Sequence, residues 1–97
     1  MRKVFFPHPG EILLEEFLVP LSITKYRLAT AIHVSPTRIG EIITGQRSIT
    51  ADTGLRLSRF FGLNDGFWVG LQADYDVARA KDELRLELGE IEVLETA

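Results

Sequence analysis

The sequence contains no cysteine, and no apolar run approaches the roughly 20 residues that a membrane-spanning helix needs. The lack of cysteine excludes disulfides, thiol nucleophiles and thiolate metal sites. The apolar stretch that follows Arg2 and Lys3 is far too short for a signal peptide. A chain of 97 residues is long enough for a single hydrophobic core. We therefore expect one domain that acts in the cytoplasm, without a membrane partner.

Sequence signals of catalysis are also missing. There are two histidines, His8 and His33, and neither has a spaced cluster of acids beside it that would suggest a metal site or a general base. No nucleophile–base pair and no glycine-rich phosphate loop stands out. We expect no catalytic residue, no metal ligand and no cofactor.

Basic charge is scarce overall, because the net charge is −3, but its distribution is uneven. Residues 22–60 carry six basic and two acidic side chains, a net charge of +4. Residues 61–97 carry three basic and nine acidic side chains, a net charge of −6. A basic middle and an acidic tail suggest two surfaces with different partners, although the tail could also be a solvated face.

The spacing of apolar residues and the start and stop signals predict five helices. Proline and acids begin the first helix at Pro9, Leu13 and Phe17 share a face, and Pro20 is expected to end it. In the fifth helix, opened by Asn64 and Asp65, an inward stripe is expected with Trp68 at its edge. The predicted ranges are 9–18, 25–32, 36–44, 51–61 and 65 to about 80. The domain is expected to span residues 1–80, followed by an acidic extension, 81–97, whose apolar residues fit either a helix or a strand.

Residues 25–44 have the pattern of a DNA-binding helix-turn-helix, in which two short helices are joined by a turn of three or four residues. Thr24 and Ser35 are good N-caps, and Pro36 is a good first helical residue. Ala29 lies where the two helices would cross. The alternative is a purely structural helical hairpin in a small bundle. His33 occupies the turn position that needs positive φ, where glycine is favoured, so we expect a strained but feasible turn.

The second helix of the motif would enter the major groove with its N-terminal end. Thr37 can hydrogen-bond to base edges or contact a thymine methyl group. Arg38 can form a bidentate hydrogen bond with guanine or with a phosphate, and Glu41 can accept a hydrogen bond from cytosine. Glu41 could equally pair with Arg38 along the helix. Contacts with the DNA backbone are expected at the start of the first motif helix, and contacts with phosphate or the minor groove are expected just after the second. The predicted DNA-contacting residues are Thr24, Lys25, Tyr26, Ser35, Thr37, Arg38, Glu41, Arg47 and Ser48. Arg56 and Arg59 could add positioning contacts or be solvated surface residues of the fourth helix, and the solvated alternative is favoured for each alone.

Several segments outside this motif closely resemble the HigA-type antitoxins of the XRE-like (Cro/repressor) helix-turn-helix superfamily. The resemblance lies in residues 8–11 (HPGE), 35–39 (SPTRI), 45–53 (GQRSITADT), 55–57 (LRL), 61–62 (FG) and 67–76 (FWVGLQADYD). It implies a five-helix Cro-like fold, a homodimer on a palindromic operator upstream of its own operon, and a HigB-type toxin partner that is a ribosome-dependent mRNA endonuclease. By position it implies base contacts from Thr37, Arg38 and Glu41 and backbone contacts from Lys25 and Arg47. His33 and Glu41 depart from the usual motif.

Three functions remain open at this point. The first is an antitoxin that represses its operon and sequesters a toxin, which the resemblance and the divided charge favour. The second is a solitary repressor, which the helix-turn-helix alone would support. The third is a protein-interaction module that no longer reads DNA, which the net negative charge would support.

Overall fold

The computed structural model of the protein describes residues 6–95, and this part of the chain is helical without strands. The first helix, α1, covers residues 9–21 in three consecutive segments, α-helical Pro9–Ile12, π-helical Leu13–Leu18 and α-helical Val19–Leu21. The other helices are α2 (Lys25–Ile32), α3 (Pro36–Ile43), α4 (Ala51–Phe61), α5 (Phe67–Glu83) and α6 (Arg85–Gly89). The prediction of an all-α chain is confirmed, and the five predicted helices correspond to α1–α5.

The predicted end of α1 at Pro20 is wrong. The helix continues through Pro20 to Leu21. Before Pro20, the backbone bonds span five residues, and the N–H of Val19 donates to the carbonyl of Leu14. The helix ends instead at Ser22, which has a left-handed conformation with φ 56°.

Within the π-helical segment, the two buried residues of α1 are five positions apart. They are Leu13 and Leu18, whereas Phe17 is only half-buried. Phe17 still packs against the core, with its ring centroid 5.1 Å from that of Trp68, so it shares the inward face with Leu13 as predicted.

The core lies where α1, α2, α3 and α4 meet the first half of α5. Trp68 is fully buried and contacts the rings of Phe17, Phe61 and Phe67, with centroids 5.1–6.3 Å away. Its predicted place at the edge of the α5 stripe is therefore wrong. Sequence reasoning also misplaced the start of α5, because Gly66 is its N-cap and no side chain caps it. The buried apolar residues are Leu13, Leu18, Leu28, Ala29, Ile32, Ile39, Ile42, Ile49, Leu57 and Trp68.

The C-terminal residues form an arm that projects from the core. α5 extends to Glu83, about three residues past its predicted end, and every residue from 79 to 95 is exposed. The radius of gyration is 16.5 Å, whereas a compact domain of this length is expected near ~12.5 Å. The strand alternative for this segment is wrong within residues 84–95, which hold α6 and irregular chain.

Candidate nucleic-acid interface

The two helices of the predicted motif, α2 and α3, begin at side chains that satisfy their first backbone donors. The Thr24 hydroxyl oxygen accepts from the N–H of Arg27 at 3.0 Å, and that of Ser35 accepts from the N–H of Arg38 at 3.1 Å. Both N-cap predictions are confirmed. Capping fixes where each helix starts, which in turn sets which side chains lie at the N-terminal end of α3.

The turn between the helices is made by His33, which has φ 64° and ψ 47° and is the C-cap of α2. The predicted positive φ is confirmed. The N–H of the next residue, Val34, donates to the carbonyl of Ala29 at 3.0 Å, which closes the turn. Ala29 is fully buried, as its predicted place at the crossing requires. In the described part of the chain, no group of three histidines or acids could hold a metal ion.

α1 packs against the buried face of α3 and holds this helix in place. Ile39 and Ile42 are fully buried, and Gly10 of α1 lies so close to the carbonyl oxygen of Ile42 that a Cβ on residue 10 would overlap it. Beside this contact, Nδ1 of His8 accepts the N–H of Gly10 at 2.9 Å and so caps α1. The His8 ring meets the ring of Tyr75 edge-on at 5.0 Å. The HPGE segment is therefore the packing surface that holds α3 in place.

The opposite side of α3 is open to solvent at its N-terminal end. Ser35, Pro36 and Thr37 are exposed there. At the start of α2, Lys25 and Tyr26 are exposed as well, with the ammonium of Lys25 5.4 Å from the centre of the Tyr26 ring. The same ammonium would lie 3.5 Å from a Cβ on Gly40, so Lys25 reaches from α2 to α3.

Arg38 and Glu41 are engaged within the chain. Nη1 of Arg38 donates to Oγ1 of Thr53 at 3.3 Å and lies 3.8 Å from Oδ1 of Asp52, on α4. Glu41 forms its ion pair with Arg47, in the loop after α3. The alternative pairing of Glu41 with Arg38 is therefore wrong. The side chain of Arg38 is angled toward α4, which the sequence alone could not indicate.

Arg56 was expected to be solvated, and this prediction is wrong. Its Nη1 donates to the carbonyl oxygens of Ile32 at 2.9 Å and His33 at 3.3 Å, and its Nε donates to Oδ1 of Asp52 at 2.6 Å. The i, i+4 spacing of Asp52 and Arg56 in α4 was a visible signal of their pairing. The contact with α2 had none, because it joins residues 24 apart.

Sequence reasoning also missed Gln72, which is buried on α5. Its Oε1 accepts the N–H of Ile49 at 2.8 Å, and its Nε2 donates to Oδ1 of Asp76 at 3.0 Å. This bond anchors the loop that leads from α3 to α4, in which Arg47 and Ser48 are exposed. The segment 67–76 thus supports the loop that carries two predicted backbone contacts.

The geometry agrees with what comparisons with known proteins find, since residues 14–68 match the family described as helix-turn-helix. The chain belongs to the helix-turn-helix family. Virulence-associated protein I of Dichelobacter nodosus is 51% identical over 76 residues, which cover 78% of this chain and 70% of that protein. None of the helices between Phe6 and Glu95 is long and apolar enough to cross a membrane.

Two solved structures extend the similarity over nearly the whole chain. Pseudomonas aeruginosa antitoxin HigA with the higBA promoter is 40% identical with a TM-score of 0.87, and the match covers 92% of this chain and 98% of that one. Antitoxin GraA in complex with its operator is 30% identical with a TM-score of 0.88, over 99% and 98%. The predicted HigA-type resemblance and the Cro/repressor-like fold are confirmed.

Proposed function

We propose that this helix-turn-helix protein is an antitoxin that binds the operator of its own toxin–antitoxin operon as a homodimer in the cytoplasm. In this proposal it represses the operon and neutralises a HigB-type mRNA endonuclease. The observation that carries the DNA-binding part is the exposed N-terminal end of α3 on a helix whose other face is locked in the core. That end is the part of a recognition helix that meets base edges.

Each predicted contact residue has a role that its position supports. Thr37 is exposed at the end of α3 and would read a base edge or a thymine methyl. Arg38 contacts Thr53 and Asp52 through Nη1 alone, so its Nε and Nη2 would reach DNA while these contacts are kept. Glu41 would reach DNA only by exchanging its partner in the following loop. The remaining contacts would bind phosphates and position the protein, from two places: the start of α2 and the ends of the recognition segment. These are Thr24, Lys25, Tyr26, Ser35, Arg47 and Ser48.

A homodimer is supported by the C-terminal arm. Its apolar side chains are exposed, at 75% for Leu86, 89% for Val93 and 82% for Leu94. Such a row of apolar side chains is stabilised by covering it with another protein surface. A palindromic operator requires two-fold symmetry, and a second copy of the arm supplies a self-complementary surface.

The toxin part of the proposal is supported by two relatives whose names describe them as antitoxins, HigA and GraA. The acidic charge of residues 61–97 supports it further, because an enzyme that binds mRNA needs basic surface. A solitary repressor is the second candidate, since the interface on α2 and α3 would serve either function.

Operator binding is tested by fluorescence anisotropy with the DNA upstream of the gene and with a shuffled duplex. We expect the purified protein to prefer the upstream DNA, and Thr37→Ala to lower that affinity about tenfold, with little change on shuffled DNA. Thr30→Ala, an exposed threonine of α2 outside the proposed contacts, is the matched control. Equal binding to both duplexes by the unmodified protein would refute sequence-specific recognition.

The antitoxin part is tested by co-expression with the adjacent small reading frame. We expect that frame to stop growth when expressed alone, and this protein to restore growth and to co-purify with its product. A harmless, unbound neighbour would leave the solitary repressor as the function.

A further inference from the structure

We propose that Asp52, outside the predicted contact set, is a positioning residue for DNA binding. One oxygen of its carboxylate joins an arginine of the recognition helix to the arginine that holds the end of α2. The proposal rests on the proposed DNA-binding function. It assigns to α4 the task of fixing the angle between the two helices of the motif.

The first half of this bridge is formed by Arg56. The last carbonyls of a helix have no partner within it, and a cation there is favoured by the helix dipole. Arg56 donates to the carbonyls of Ile32 and His33, and His33 is the turn residue with positive φ. A guanidinium can do this and bind a carboxylate simultaneously because its donors form a rigid fork. Asp52, 2.6 Å from Nε, orients that fork.

The second half of the bridge is formed by Arg38. Its Nη1 is 3.8 Å from the same Oδ1 of Asp52 and donates to the hydroxyl of the buried Thr53. The carboxylate of Asp52 is 61% exposed, so these ion pairs add little to folding stability. Their effect is on geometry: α3 and the end of α2 are tied to one point of α4.

This role and a plain charge effect predict opposite results. As a bare negative charge beside the interface, Asp52 would repel phosphates, and its removal would strengthen binding to every DNA. As a positioning residue, its removal would loosen the motif and weaken binding to the operator selectively. The sign of the change therefore separates the two.

The variants are Asp52→Asn and Arg56→Lys, with Glu83→Gln as the matched control. Glu83 pairs with Arg79 at 3.1 Å with the same i, i+4 spacing, but on α5. We expect Asp52→Asn to lower operator affinity about tenfold and to leave affinity for shuffled DNA equal or higher. Arg56→Lys keeps the charge and should behave alike, because an ammonium cannot replace the fork. Glu83→Gln should leave the operator preference unchanged.

Amide hydrogen exchange read by NMR tests the same inference without DNA. We expect the N–H groups of His33 and Val34, which close the turn, to exchange faster in Asp52→Asn and Arg56→Lys but not in Glu83→Gln. Melting temperatures should stay within about 3 °C. Unchanged exchange at these amides, or operator binding as tight as that of the unmodified protein in Asp52→Asn, would overturn the proposal. Failure of the unmodified protein to prefer its operator would instead count against the proposed function, while the exchange result still decides the role of Asp52.

Discussion

Oε1 of Glu41 lies 2.8 Å from both Nε and Nη2 of Arg47. This pair connects α3 to the loop that follows it, and the backbone N–H of Arg47 also donates to the carbonyl of Glu41 at 3.2 Å. Glu41 was predicted to contact a DNA base and Arg47 to contact the DNA backbone. In the structure the two side chains form a single unit. Both side chains are partly exposed, so the pair can open at low cost when DNA binds.

We expect Arg47→Ala to weaken binding to the operator and to shuffled DNA by similar factors. A phosphate contact carries no sequence information, and its loss should reduce the slope of log affinity against log salt by about one. Titration by anisotropy at several salt concentrations measures both quantities. Arg59→Ala, an exposed arginine elsewhere on α4, is the control. A loss confined to the operator would instead make Arg47 a base contact.

The contact between α1 and α3 gives a prediction about stability. Gly10→Ala should lower the free energy of unfolding by about 3 kcal/mol, because the new Cβ meets the backbone carbonyl of Ile42, which cannot rotate away. Gly70→Ala is the matched control on α5, where a Cβ meets nothing within 4 Å. Alanine there should raise stability by about 1 kcal/mol. Urea denaturation measures both, and equal effects would contradict the close approach.

The buried amide of Gln72 gives a second prediction about stability. Gln72→Leu should cost about 2 kcal/mol, because it leaves the N–H of buried Ile49 without an acceptor. Gln46→Leu, at an exposed position, should change the free energy of unfolding by less than about 0.5 kcal/mol. If both substitutions have the same small effect in urea denaturation, the bond does not anchor the loop.

His8 gives the fold a pH dependence. Burial lowers the pKa of His8 below its ordinary value of 6.5, and Arg79 adds to this, while Asp76 and Glu11 oppose it. The unfolded chain then takes up the proton first, so this stability is complete above about pH 6.5 and is lost as pH falls through the lowered pKa. His8→Asn keeps a capping acceptor without titrating. We expect stability to fall less between about pH 7 and about pH 5.5 in this variant than in the unmodified protein.

His33 is present in both proteins, so the difference between the two pH profiles isolates His8. Urea denaturation at each pH measures the stability profile of each protein. Parallel profiles in the two proteins would contradict the assignment of the pH dependence to His8.

The sequence predicted those parts of the fold that depend on local signals. Caps such as Thr24 and Ser35 and the positive φ of His33 follow from residues within four positions of each other, and all three are confirmed. Trp68 was predicted at the edge of the apolar stripe of the fifth helix but lies in the core. The periodicity of apolar residues in a helix does not indicate which face contacts the most neighbours. The burial of Trp68 depends on Phe17, which is distant in the chain, and on Phe61, which lies across the short turn between α4 and α5.

The sequence predicted the exposed N-terminal end of α3 but not the partners of its side chains within the chain. The α3 end followed from the motif, whereas the partners of Arg38 and Glu41 depend on how α4 and the following loop return to α3. The bridge from Arg56 to Ile32 spans 24 residues. Long flexible side chains such as arginine can reach several partners, and only the packed structure selects one.

The π-helical segment Leu13–Leu18 has a consequence for how this chain is aligned with others. A π turn holds more residues than an α turn, so it behaves like an insertion within a continuous helix. A relative with a regular α-helix here would need a gap inside residues 13–18, even though both chains enter and leave α1 at equivalent points. Converting the π turn to a regular α turn without removing a residue would rotate everything before it by about 100°. Gly10 would then no longer face Ile42, so the length of this short segment is itself a condition for the placement of α3.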